Sequence, residues 1–444
     1  MIVKSIRLWR VLLPMKFDFH TAKGLVRERH TLVVEVITDR GISGFGEVVA
    51  FDTPFYTAET INTSEEWLRK AIPYFIGFTM NEPWDCYGWE LGNGLGQAPK
   101  ISTTLVDNEI AKDEAVDNEA AKNEAVNNEV VKNEAVDNAI AKIEVGDKNI
   151  GEDFFKKRLP MAWTGLENAL LHAFSEEQNQ PMIQSLVKAP LAKSIPLGLV
   201  FGDMPIPALL AKIDDAIGQG CERVKIKLTP KDPVERLTAV RKKFPNLDLA
   251  ADANRSFAVS DWSIVKAFDA YNLKSLEEPF ELIGTAAETY EALPSEFWRG
   301  WQTPLSFDES VQSLEELKAL HGAFSQLASI RLLLNVKLGR LGGLREALRC
   351  IAYCQEQGLG FWVGSMVESG ISKILHVELA ALPGVWMAGD LSDSKRYFEE
   401  DLIEPPIHFI KGQMAVPQGA GLGVKVNRDI LQAYGKIIVN TSFD

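Results

Sequence analysis

Arg223-Val224-Lys225-Ile226-Lys227-Leu228 alternates basic and apolar residues in the manner of a strand with two unlike faces. Side chains alternate along a strand, so Lys225 and Lys227 share one face while Val224, Ile226 and Leu228 share the other. Two ammonium groups about 7 Å apart on the wall of a buried sheet are costly, because each loses hydration and each repels the other. For an isolated Lys-x-Lys, a half-exposed edge strand with ordinary surface lysines is the simpler reading. The residues downstream shift the balance.

Outward from this strand the chain keeps a rhythm. Strand-like runs centre near Val200, Ile226, Leu249, Leu276, Phe307, Leu334, Val363 and Met387, and helical patterns fill the gaps, as over residues 233–244, 258–271, 314–321 and 344–357. Eight strands alternating with helices predict a (β/α) barrel, in which active sites gather at the C-terminal ends of the strands. An open doubly wound sheet is the competing architecture.

The strand ends read together. After the lysine strand come Leu249-Ala-Ala-Asp252-Ala-Asn254, Leu276-Glu277-Glu278-Pro279, Ser306-Phe307-Asp308-Glu309-Ser310 and Leu334-Asn335-Val336-Lys337. One acid in such a place means little, since acids commonly cap the following helix. Acids on three successive strands, flanked by lysines on both sides, form a constellation. Three carboxylates from rigid strand ends, with no cysteine or histidine nearby, suit a hard divalent cation that keeps positions open for water and substrate, Mg²⁺ foremost. Its charge would offset the repulsion among the acids and, with Lys225, would favour the neutral amine that Lys227 needs as a general base. Lys337 would face Lys227 across the barrel mouth.

Composition sets the outer bounds. With 444 residues, 46% of them hydrophobic and 24% charged, the chain can bury a large core and is expected to hold two domains. The net charge of −14 disfavours a general affinity for nucleic acid or anionic lipid, and small anionic substrates would need a local cationic pocket. Cys86, Cys221, Cys350 and Cys354 lack metal or redox spacing. The first fourteen residues have no signal-peptide layout, no apolar run has the length of a membrane span, and a cytoplasmic location is expected.

The first hundred residues read as a small α+β unit. Residues 31–38 and 44–49 form a hairpin about the turn Asp39-Arg40-Gly41, and a helix starts near Thr63, whose spacing to Glu66 is that of a capping box. The polar stretch 17–29, with His20, Thr21, Lys23 and Gly24, reads as a connecting loop or a lid over a site elsewhere. Residues 107–146 repeat in eight near-copies of five residues, beginning Asp107-Asn-Glu-Ile-Ala and Lys112-Asp-Glu-Ala-Val. A five-residue period advances about 500° on an α-helix, so the apolar pairs make no stripe. A duplicated insertion, mobile or partly helical, is expected, with a pentapeptide β-coil as the sharper alternative. Eleven acids against four lysines give it a charge of −7, half of the chain's total.

Lys-x-Lys, Asp-x-Asn, Glu-x-Pro, Asp-Glu-Ser and Asn-Val-Lys-x-Gly-Arg-x-Gly-Gly, in this order and spacing, resemble the enolase superfamily and its muconate-lactonizing subgroup. The resemblance implies a (β/α)7β modified TIM barrel with an N-terminal α+β capping domain. It divides the chain into a capping domain over 1–106, the insertion over 107–146, a helical remainder of the cap over 147–195, the barrel over 196–400, and a segment over 401–444 that returns to the cap. It implies Asp252, Glu277 and Asp308 as ligands of Mg²⁺, with Mn²⁺ as a substitute. Glu278 and Glu309 stand behind these ligands, and Lys227 and Lys337 are the acid/base pair, with Lys225 beside them. A Lys or His base working with Mg²⁺ is the superfamily's general pattern and comes from it, not from these residues alone.

Two further stretches narrow the resemblance. Gly364-Ser-Met366-Val-Glu368-Ser369-Gly370 and Gly389-Asp390-Leu391-Ser392-Asp393-Ser394-Lys395-Arg396-Tyr397-Phe398 are similar to the o-succinylbenzoate synthase and N-succinylamino acid racemase branch. That branch implies a small carboxylate substrate touching Asn254, Met366, Ser369 and Gly370, and leaves room for a homo-oligomer. Dipeptide epimerases usually carry a second acid where Ser392 stands, and muconate cycloisomerase is a weaker match. A barrel without catalysis, whose repeats recruit a partner, is opposed by the presence of every chemical position. The insertion, Leu338 in place of a common proline, and residues 169–172 in place of a common Trp-Asp pair depart from the pattern.

Overall fold

Strand pairing organises the chain from its first residues. The computed structural model describes residues 1–21, 24–54, 56–88, 102–105, 150–187, 189–325, 327 and 330–442; the pentad repeat at 107–146 lies outside them. Val3–Thr21 and Gly24–Thr38 pair antiparallel as far as Pro14 opposite Glu28 and, after a break in register, again with Phe19 opposite Val26 and Thr21 opposite Gly24. The stretch read as a loop or lid over 17–29 is therefore the outer part of a two-stranded arm. Backbone pairing resumes at Phe19 despite the polar composition, because ladder hydrogen bonds do not depend on side chains. The arm meets the barrel's closing segment, where Lys16 N donates to Tyr397 O at 2.9 Å.

Ser43–Val48 extends this sheet on one side and Gly435–Ser442 with Ser102–Leu105 on the other, which sets Gly435–Ser442 beside Val3–Thr21. Pro160–Glu177 packs across the sheet, buried nearly all round. It approaches so closely that a Cβ on Gly46 would stand 2.0 Å from the Gly165 carbonyl oxygen. His172, at one departure from the family pattern, joins this contact by accepting the Phe45 amide at 2.9 Å. The first helix, Ile61–Ala71, starts one turn earlier than the sequence suggested. Thr60 is its N-cap and Thr63 the reciprocal partner, because a threonine hydroxyl serves the cap amide as well as a glutamate would.

The second sheet holds seven parallel strands: β1 (Gly198–Phe201), β2 (Arg223–Lys227), β3 (Asp248–Asp252), β4 (Ser275–Glu277), β5 (Leu305–Phe307), β6 (Leu332–Val336) and β7 (Gly360–Val363). Their spatial order equals their chain order, whereas a doubly wound sheet would reverse at a switch point. An eighth strand was expected at Met387. Residues 385–390 do run beside β7, with Trp386 N on Phe361 O at 2.8 Å and Asp390 N on Val363 O at 3.1 Å, but they form no ladder with β1. There the Arg223 side chain donates to Ala388 O at 2.7 Å, and Gly198 lies flat against Gly389, so side-chain bonds and contact close the barrel.

The floor of the barrel is apolar. Leu333, Trp362 and Met387 pack together in the interior, and the Trp362 indole donates to Ser306 Oγ at 2.9 Å. Val224, Ile226 and Leu228 point outward and are buried under the helices, which leaves the inner wall of β2 to Arg223 and the two lysines. Among the described residues no helix is long and apolar enough to cross a membrane.

Candidate active site

Strand register gathers the charged residues at one end of the sheet. Lys227, Asp252 and Glu277 are direct neighbours across β2, β3 and β4. Ser306 of β5 is next to Glu277, which sets Asp308 one pleat further out, and Lys337 directly follows β6. Asp252, Glu277, Glu278, Asp308, Glu309, Lys225 and Lys337 are all buried. Lys227 keeps 22% of its side chain exposed against 4% for Lys225 and 9% for Lys337, so of the three it reaches furthest into the open mouth.

The carboxylates divide into two groups. Lys225 Nζ bridges Glu277 at 2.7 Å and Asp252 at 3.3 Å, and Lys227 Nζ bonds Asp252 at 2.6 Å and Asn254 Oδ1 at 2.5 Å. Asp308 is turned the other way, to Lys337 Nζ at 2.6 Å, Tyr56 Oη at 2.8 Å and the Arg340 guanidinium. Among the described residues no three acidic, histidine or cysteine side chains form a ready-made cage. The donor chemistry still fits a hard divalent ion. All three candidates offer buried carboxylate oxygens, and a positive charge already lies between Asp252 and Glu277, the pair that register sets side by side.

Burial and charge act in opposite directions on these groups. Burial penalises the Asp252 carboxylate, but Lys227 and Lys225 outweigh it and lower the pKa. For Glu277 burial prevails over Lys225 and raises it. Burial also opposes the ammonium of Lys225, yet Asp390, Glu277 and Asp252 raise its pKa above the ordinary lysine value. Lys337 is raised in the same way, with Tyr56 and Glu277 overcoming burial. Burial, helped by Glu309, pushes Glu278 up to about 8, and its Oε1 collects the Asp308 and Ser310 amides. Asn254 and Glu278 hold positive φ (43° and 42°), conformations that cost energy for residues with a Cβ and that cluster at functional sites.

The residues expected to touch substrate are placed unevenly. Asn254 lies in the mouth between Lys227 and Glu309. Ser369 donates its hydroxyl and its amide to Glu47 of the cap, the Gly370 amide goes to Asp401, and the Met366 amide goes to the Glu368 carboxylate. Of these three only Ser369 bonds the cap; the Gly370 and Met366 amides are held by acids on the barrel side of that joint. Sequence reading passed over Asp390, Arg340 and Tyr56. Asp390 ends the closing segment as the other acids end their strands and could have been found by that rule, and Arg340 is a fully buried arginine inside a quoted motif. Tyr56 carries no local signal, because the cap brings it 252 residues along the chain to Asp308.

A family model described as "Enolase C-terminal domain-like" matches residues 208–430, half of the chain. The chain belongs to the enolase superfamily. The o-succinylbenzoate synthase of Bacillus subtilis (strain 168) is 29% identical over 433 residues, covering 97% of this chain and 96% of that one. The N-succinylamino acid racemase of Amycolatopsis sp is 28% identical over 428 residues, covering 95% and 94%. Among solved structures, an unknown member of the enolase superfamily from Enterococcus faecalis V583 superposes with a TM-score of 0.75 at 27% identity, covering 99% of both chains. The muconate lactonizing enzyme of Pseudomonas fluorescens superposes with a TM-score of 0.73 at 15% identity, covering 98% of this chain and 99% of that one, and so attests the fold alone. As an enolase superfamily barrel the chain is similar to enzymes along nearly its whole length.

Proposed function

We propose that this protein is a Mg²⁺-dependent o-succinylbenzoate synthase. It would dehydrate 2-succinyl-6-hydroxy-2,4-cyclohexadiene-1-carboxylate to o-succinylbenzoate on the way to menaquinone or phylloquinone. The observation that carries this reading is the pair Lys227 and Lys337, on β2 and just past β6, flanking a row of buried carboxylates that ends β3 and β4 and follows β5. The similarity to synthases along nearly the whole chain supports it.

Asp252, Glu277 and Asp308 are the residues that would hold the metal. When bound, Mg²⁺ supplies the positive charge that stabilises a substrate carboxylate as negative charge builds up on it. Lys227, the most exposed of the three lysines, takes the proton from the carbon beside that carboxylate. The ammonium so formed then gives the proton to the departing hydroxyl on the same face, and loss of water leaves an aromatic ring. Lys337 keeps its charge and offsets the negative charge of the ring system through Coulombic and cation–π attraction.

A racemase is the second reading, favoured by the lysine on each side and by the racemases among the relatives. In it, Lys337 returns the proton from the opposite face. The test is to assay the purified protein with Mg²⁺ against the cyclohexadiene substrate and against N-succinylamino acids of both configurations. Formation of o-succinylbenzoate is expected. Racemisation without dehydration would replace the first reading by the second, and turnover of neither class would refute both.

A further inference from the structure

Lys225 divides one ammonium charge among three carboxylates. Its Nζ lies 2.6 Å from Asp390, 2.7 Å from Glu277 and 3.3 Å from Asp252, and 5.0 Å from the centre of the Trp362 ring. Glu277 and Asp252 are acids assigned above to the metal. An ammonium hydrogen-bonded to a carboxylate oxygen occupies lone pairs that a cation would use.

Asp390 differs from the other two in origin and in fixity. It comes from the segment that closes the barrel, and its second oxygen accepts from Arg223 Nη2 at 2.6 Å. Its backbone amide is bonded to Val363 O at 3.1 Å, and Arg223 also grips the neighbouring Ala388 carbonyl at 2.7 Å. Behind it the chain cannot retreat, since Gly389 already touches Gly198, where a Cβ would come within 2.1 Å of the Gly389 oxygen. A fixed carboxylate, paired on its far side by an arginine, thus presents one oxygen to Lys225.

We propose that Asp390 is a positioning residue for the metal site. It takes a share of the Lys225 ammonium that would otherwise go wholly to Asp252 and Glu277, and so leaves their oxygens freer for the divalent cation. The inference rests on the reading of Asp252 and Glu277 as metal ligands.

The experiment is a calorimetric titration with Mg²⁺, in the absence of substrate, of the full-length protein and of D390N, K225M and the double variant. D390N is expected to weaken Mg²⁺ binding at least tenfold, because Lys225 then turns wholly to the metal ligands. K225M is expected to bind more tightly than the unaltered protein, and adding D390N to it should change the affinity less than threefold. Asp390→Glu, which keeps the charge, should stay within tenfold of the unaltered protein. Equal weakening by D390N in both backgrounds would overturn the proposal, since Asp390 would then act only as a distant negative charge. An absence of weakening would overturn it too and leave the metal assignment standing. If the unaltered protein binds no Mg²⁺, the metal assignment itself is wrong. If circular dichroism shows D390N to be unfolded, K225M decides alone, with tighter binding in favour and equal or weaker binding against.

Discussion

Glu47→Ala removes the carboxylate by which the cap grips a barrel helix. Glu47 is fully buried on Ser43–Val48; one oxygen accepts from the Ser369 amide at 3.0 Å and Thr31 Oγ1 at 3.1 Å, the other from Ser369 Oγ at 2.7 Å and the Ser372 amide at 3.2 Å. Ser369 is the N-cap of Gly370–Ala380, so the carboxylate lies at the positive end of that helix. In the alanine variant Thr31 keeps the Val48 carbonyl, but the Ser369 hydroxyl proton and the two serine amides lose their acceptor. A buried donor left unpaired costs about 1–3 kcal/mol, so three cost about 6 kcal/mol. Burial disfavours this carboxylate's charge and raises its pKa, so its removal relieves part of that cost and the net loss is about 5 kcal/mol. For 444 residues the unfolding entropy is roughly 0.9 kcal/mol/K, which converts the loss into a fall of about 5 °C in Tm. Urea unfolding and scanning calorimetry measure both quantities. Glu47→Gln, with one acceptor oxygen left, should lose less. A Glu47→Ala protein within about 0.5 kcal/mol of the original would refute the view that this carboxylate holds cap and barrel together.

Dialysis against EDTA should abolish turnover, and Mg²⁺ or Mn²⁺ should restore it; full activity after exhaustive chelation would remove Asp252, Glu277 and Asp308 as ligands. Deuterium exchange at the α-carbon of N-succinylamino acids separates the lysines. If both act as bases, Lys227→Arg stops exchange for one enantiomer and Lys337→Arg for the other, whereas one-sided exchange in the unaltered enzyme marks Lys337 as purely electrostatic. Glu378 is buried, and burial pushes its pKa up to about 8. The folded protein therefore holds that proton more tightly than the unfolded chain, and stability should fall as pH rises from about 4.5 toward 8. Glu378→Gln should flatten this slope in urea titrations at several pH values, and an unchanged slope would exclude Glu378 as its source. His376 Nε2 accepts the Leu338 amide at 3.2 Å, directly after Lys337. His376→Leu should cost about 1–3 kcal/mol in urea unfolding while His376→Gln, which can still offer an acceptor, costs less; equal losses would show that the hydrogen bond is not the cause.

Much of the barrel was readable along the chain because its determinants are local. Leu344–Gln357 emerges with the ends expected for it, since Gly343 and Gly358 stop the helix at both sides through positive φ. Alternation in Arg223–Lys227 put two lysines on one face, and the acids at the ends of the following strands needed only the strand assignments to be seen as one set. The loop reading of the arm failed for the opposite reason. Its polar residues say nothing of a partner strand, and the pairing of Phe19 with Val26 is a property of two backbones.

What the sequence by itself determined, then, is which residues arrive at the barrel mouth: Lys225, Lys227, Asp252, Glu277, Asp308 and Lys337. Strand alternation and strand length depend on near neighbours, so the pattern suffices for that. Only the tertiary structure decided which ammonium serves which carboxylate. Asp308 turns to Lys337, Arg340 and Tyr56, Lys225 is shared with Asp390 of the closing segment, and Glu47 reaches 322 residues along the chain to Ser369. Those choices are a competition among charges in a dry interior. It is settled by distances of a few ångströms between elements that only the closed barrel and its docked cap bring together.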